Sequence, residues 1–97
     1  MTSVNGARGE VALEVAGVSR TLCLTLGALA EIETAFGCNS MAELQARLRS
    51  LSASELGIVV QALLRGGGTP EEVISVADIS PGDAANAVAE AFRAALG

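Results

Sequence analysis

Histidine, lysine, tyrosine and tryptophan are absent from this 97-residue chain, and phenylalanine occurs only twice. Each absence removes a class of chemistry. Without histidine the commonest general base is missing. Without lysine there is no Schiff-base amine and no P-loop cation. Without tyrosine or tryptophan, the aromatic platforms on which bases stack are missing too. Two cysteines, Cys23 and Cys38, lack CxxC spacing, so neither a zinc site nor a disulfide framework is expected. They read as small apolar thiols in a reducing compartment. The longest apolar stretch, Ile58 to Leu64, is interrupted by Gln61 and falls far short of the roughly 18 residues of a membrane span. The opening MTSVNGARGE has no apolar signal-peptide core, so the expectation is a cytoplasmic protein without a membrane partner. Net charge is −5, with six scattered arginines. An acidic surface repels phosphate, so no nucleic-acid partner is expected.

What the chain does contain is apolar residues, 51% of the total, much of it alanine. Residues 8–97 are enough for one domain with a single core, preceded by a flexible tail at 1–7. Glu10 to Ala16 alternates, with Val11, Leu13 and Val15 on one face. Ser19 to Leu26 alternates as well, placing Leu22, Leu24 and Leu26 together. A two-residue II′ turn at Gly17-Val18 predicts a hairpin that pairs Leu13 with Leu22 and Val11 with Leu24. Lengthening the loop by one residue would set apolar against polar positions, so parity fixes the register.

The remainder reads as helix. Four hydroxyl residues are each followed three positions later by an acid: Ser40/Glu43, Ser52/Glu55, Thr69/Glu72 and Ser80/Asp83. This spacing lets the hydroxyl accept from a first-turn N–H while the acid complements the helix dipole. Pro70 and Pro81 suit a first helical position. The expected helices are Leu26 to Phe36, burying Leu26, Leu29, Ile32 and Phe36; Met41 to Ser50; Ala53 to Arg65; Pro70 to Ala77; and Pro81 to Leu96, offering Ala85, Val88, Phe92 and Leu96. Gly66-Gly67-Gly68 reads as a helix stop with slack. An isolated hairpin is marginal in water. The predicted class is therefore α+β, an N-terminal two-stranded antiparallel hairpin followed by four or five short helices packed on its apolar face.

The carboxylates form no catalytic pair. Glu31 and Glu33, two apart on a helix, point to different faces, and Glu71 and Glu72 are first-turn acids that the dipole accounts for. The glycine triplet lacks a preceding strand and a Lys-Ser/Thr continuation, so it is no phosphate loop. No catalytic residue, cofactor or metal is expected, and the chain does not read as an enzyme.

The segment from Arg8 to Leu13, the turn, Leu24 to Glu33 (LTLGALAEIE) and a later helix ending Leu63-Leu64-Arg65-Gly66 together resemble the small tail-assembly chaperones of gene transfer agents and related long-tailed phages. The resemblance covers most of the chain through the pattern and order of its elements. It implies a protein that binds the long, helical tape-measure protein during tail morphogenesis, with the major tail protein as a further partner. Related members are labelled tail-tube components, which implies a structural role instead. A second, more distant resemblance is local: Gly37-Cys38-Asn39-Ser40-Met41 is similar to the Gly-x-Asp-Ser-Leu site of acyl carrier proteins, with Ser40 as the modified serine and Asn39 in place of the aspartate. The resemblance to the chaperones brings no site residues with it. The candidate partner surface is read from the last helix, where Ala87, Ala91, Ala94 and Ala95 would let another helix approach closely, with the hairpin edge next in line. Oligomeric state is not specified by any of these features.

Overall fold

The computed structural model describes residues 9–96, and the expected tail at 1–7 lies outside them. Strands β1 (Glu10–Val15) and β2 (Val18–Cys23) form a two-stranded antiparallel sheet. Four α-helices follow: α1 (Leu26–Phe36), α2 (Met41–Leu48), α3 (Ala53–Gly66) and α4 (Pro81–Leu96). The α+β class and the hairpin-first order are as the sequence predicts.

The hairpin register differs from the expected one by two residues. Val11 faces Leu22, Leu13 faces Arg20 and Val15 faces Val18. The turn is Ala16-Gly17, and both residues have positive φ, 53° and 81°. That is the I′ geometry, whose twist matches that of the flanking strands. It turns Val15 and Val18 into a cross-strand β-branched pair, where the II′ alternative would leave Val18 in the turn. A two-residue shift preserves parity, so Leu13, Val15 and Leu22 still face the core.

Local signals account for most helix boundaries. Ser52 and Glu55 form a complete capping box at the start of α3. The Ser40 hydroxyl accepts from the Glu43 amide at 3.2 Å and opens α2. Thr25 caps α1 by accepting from the Ala28 amide at 3.1 Å, although no acid marks it in the sequence. Gly37, with φ 67°, ends α1 in a left-handed cap.

The expected helix at 70–77 is not formed. Only a single 3₁₀ turn, Glu71–Val73, is present, and its cap residue Pro70 offers no side-chain acceptor. The apolar residues there, Val73, Ile74 and Val76, are all β-branched. So short a segment does not offset the cost of helix nucleation. Val76 and Ile79 instead pack against the core as irregular chain.

The core lies between the hairpin and the helices. Leu22, Ile32, Leu44, Val59, Ala62, Leu63 and Ala91 have no exposed surface. Helix α3 touches α1, β2 and α4, and α4 lies along β1. Leu26, expected inside, is 82% exposed, because α1 turns Ala28 and Ile32 inward. Arg65 ties α3 to Glu31 on α1 and, at 3.0 Å, to Glu71.

The glycine triplet does more than stop a helix. A Cβ built on Gly66 would fall 2.2 Å from the Cys23 carbonyl oxygen, and one on Gly67 only 2.0 Å from that of Thr21. The end of α3 therefore abuts the outer edge of β2, backbone against backbone, and the expected slack is replaced by a tight contact.

Candidate functional site

The candidate alanines divide between the interior and the surface. Ala87 and Ala91 are 6% and 0% exposed, packed in the core with Leu13 and Val15. Their expected place on an accessible helix face is corrected. Small side chains allow α4 to lie close against β1, so the core stripe runs through Ala84, Ala87, Val88, Ala91 and Phe92. Ala85 and Leu96, expected inside, are exposed. Ala94 and Ala95 are also exposed, at the end of α4.

On the other side of α4 two apolar concavities share Leu56 in their lining and together form the two lobes of a candidate groove. One lobe, of about 420 Å³, runs between α3 and the irregular segment before α4, over Leu56, Val60, Val76 and Ile79. The second, of about 390 Å³, lies between the end of α2, α3 and α4, over Leu48, Leu51, Leu56, Ala85, Ala89 and Phe92. Leu48, Leu51 and Leu56 are half-buried and Ile58 is 38% exposed, so the groove shows apolar surface that the fold leaves partly uncovered. Polar groups are few: Ser54 and Gln61 in the first lobe and Arg49 in the second. Such a lining offers shape and apolar contact. Burying one large aliphatic side chain there would stabilise a complex by about 1.5–3 kcal/mol.

The walls of the groove are fixed from behind. Arg47 pairs with Glu55, donates to the Phe36 carbonyl at 3.3 Å, and stacks over the Phe36 ring at 5.1 Å. One guanidinium thus joins the end of α1, α2 and the start of α3. The Ser52 amide donates to Glu55 at 2.9 Å. That bond first, and Arg47 second, hold the Glu55 carboxyl below its ordinary value.

The other sequence candidates lie apart from the groove. The Ser40 hydroxyl is taken up in the cap of α2. Cys23 and Cys38 are half-buried thiols. Among the described residues, no cluster of histidine, cysteine or carboxylates could hold a metal ion, and no helix is long and apolar enough to cross a membrane.

Sequence reasoning missed the groove because its parts were assigned to separate elements. A signal was nonetheless present. Leu56 and Ile58 widen the apolar stripe of α3 beyond what one packed face uses, and Val73, Ile74, Val76 and Ile79 crowd the next segment with β-branched residues.

The model of a protein family described as phage tail tube protein, GTA-gp10, matches residues 8–97. No curated protein and no solved structure matches the chain.

Proposed function

We propose a binding role in tail assembly for this chain, because it belongs to the GTA-gp10 family of phage tail tube proteins. Family membership places the chain among phage-tail proteins of the gene-transfer-agent type. The finer proposal is that it serves as a tail-assembly chaperone that holds an apolar helical segment of the tape-measure protein.

The observation that carries this reading is the two-lobed groove at Leu56. Its lobes offer places for two apolar anchors on one face of a partner helix, the helix-in-groove mode of recognition. A net charge of −5 sets copies of the chain against each other and against non-specific association while the groove is empty.

Ala85 and Ala89 line the groove and are exposed, so Arg at either position puts a charge into it without entering the core. Co-expression with the tape-measure protein from the same gene cluster tests the reading. The parent chain is expected to co-purify with that protein and raise its soluble yield, and Ala85→Arg and Ala89→Arg are expected to reduce both. Parent and variants co-purifying alike would move the binding surface elsewhere. No co-purification with the parent would remove the chaperone reading.

A structural tail-tube role is the second reading, favoured by the family's own description. A tube subunit is abundant in the finished particle and a chaperone is absent from it. Mass spectrometry of purified particles separates the two.

A further inference from the structure

The two edges of the sheet are treated differently by the fold. In a two-residue I′ hairpin the closing pair, here Val15 and Val18, exchanges both hydrogen bonds, and bonding then alternates along the ladder. Leu13–Arg20 and Val11–Leu22 are therefore bonded pairs. Ala12 and Glu14 on β1, like their partners Thr21 and Ser19 on β2, aim their N–H and C=O groups outward. The position of Gly67 against the Thr21 carbonyl agrees with this alternation. On β2 that row is closed off at Thr21 by Gly67, and beyond it at Cys23 by Gly66, while Ser19 stays exposed beside the turn. On β1 it borders a groove of about 220 Å³, walled by Ala12 and Glu14 on the strand and by Asp83, Asn86 and Glu90 on α4.

We propose that the outer edge of β1 is a strand-addition site for a basic, extended segment of a partner protein. Among the described residues no further strand pairs with this edge. Such an edge is a template for another strand, and charge selects the occupant. Glu14 lies on the strand side of the groove, Asp83 and Glu90 on the helix side, and none of the three is in an ion pair among the described residues. A strand laid beside Ala12 and Glu14 alternates its side chains between the two sides. Lys or Arg on either side meets a carboxylate, and acids on either side are repelled. The same argument disfavours a second copy of this chain, which would set Glu14 and Glu90 against their own counterparts. This surface lies on the opposite side of α4 from the Leu56 groove and does not depend on what that groove holds.

The test uses the full chain, isotopically labelled, titrated with a blocked heptapeptide alternating valine and lysine and, separately, with its glutamate counterpart. The lysine peptide is expected to shift the Ala12 and Glu14 amides, slow their hydrogen exchange, and weaken as salt is added. The glutamate peptide is expected to leave them unmoved. Ala12→Pro removes an outward N–H without touching the β1–β2 ladder, and proline is tolerated at such edge positions. It should lower affinity about tenfold or more, the equivalent of one lost hydrogen bond, while the chain still melts cooperatively. Should Ala12→Pro fail to fold, the double variant Glu14→Arg/Glu90→Arg decides, because it must switch the preference to the glutamate peptide. Equal response to both peptides, shifts centred on Leu56 in place of Ala12, or an unswitched preference would each overturn the proposal. So would a dimer of the parent in sedimentation with its Ala12 amide already protected, since the edge would then belong to a second copy.

Discussion

Alanine at Gly67 tests the packing of the fold at its tightest point. A Cβ there would sit 2.0 Å from the Thr21 carbonyl oxygen and 2.6 Å from its carbon. Both are backbone atoms of a paired strand, so no side-chain rotation can make room. Either the end of α3 lifts from β2 or the strand bends. Overpacking of this kind costs about 1–3 kcal/mol, and a clash against backbone belongs at the upper end, about 3 kcal/mol. Gly67 has φ −85° and ψ 0°, which alanine can adopt, so none of the loss comes from backbone conformation. Gly66 has the same clash with Cys23 but is the last residue of α3, where alanine regains at most about 1 kcal/mol of propensity, leaving a loss of about 2 kcal/mol or more. Gly82, in the first turn of α4 with nothing within 4 Å of its built Cβ, supplies the opposite control. Gly82→Ala should be neutral or stabilising by up to about 1 kcal/mol. Urea unfolding followed by circular dichroism measures all three, with an unchanged slope expected. If Gly67→Ala and Gly82→Ala shift the midpoint alike, the triplet is only a helix stop and the backbone contact with β2 is wrong.

Other consequences can be checked on the same footing. Leu63 is fully buried and Leu24 nearly so; Leu63→Ala and Leu24→Ala should each cost about 2–5 kcal/mol, and parent-like melting of both would refute the core assignment. Removing the cap of α3 with Ser52→Ala should cost about 1 kcal/mol, measured by denaturant titration, and Ser40→Ala a similar amount. Mass spectrometry from the native host should find no phosphopantetheine on Ser40; a modified peptide would support the carrier-like alternative. The Glu55 carboxyl is held below its ordinary 4.5 in the folded chain, so its contribution to stability is fully present above pH 4.5 and fades as pH falls through the lower folded value. Glu55→Gln should flatten that part of the stability–pH curve, and a curve parallel to the parent's would show that the Ser52 and Arg47 contacts do not form in solution.

The parts of the fold that could be read from the sequence were those decided locally. Period-2 alternation located both strands, and Ser/Thr-x-x-acid spacing located the starts of α2, α3 and α4. The features that could not be read depend on distant partners. The hairpin turn had two solutions of equal parity, and the choice lay in pairing Val15 with Val18. Thr69 and Glu72 carry the same capping signature as Ser52 and Glu55, yet the helix they announce does not form. In α4 the expected inward set was Ala85, Val88, Phe92 and Leu96, and only Val88 and Phe92 are buried, because alanines on several faces of the helix carry no inward or outward preference of their own. Ala87 and Ala91 went inside because only small residues permit close approach to β1, and proximity to β1 is a tertiary fact.

That arrangement of α4 explains why the open apolar surface lies where it does. With alanines turned toward the hairpin, the helix contributes little apolar volume to its other side, where Ala85 and Ala89 leave the space over Leu48, Leu51 and Leu56 unfilled. Larger residues at 85 and 89 would close that space and bury the leucines within the chain. A chain of this size has little core to spare, and a half-covered leucine forgoes part of the burial that stabilises small domains. A partner's apolar side chains would complete that burial, so occupation of the groove should raise the melting temperature of the chain itself. Ala89→Leu separates the two effects. It should raise the stability of the isolated chain by filling the groove and, by the same act, weaken co-purification with the tape-measure protein. A variant that gains stability and keeps its partner would show that the space over Leu56 is a packing defect and that recognition happens on another surface.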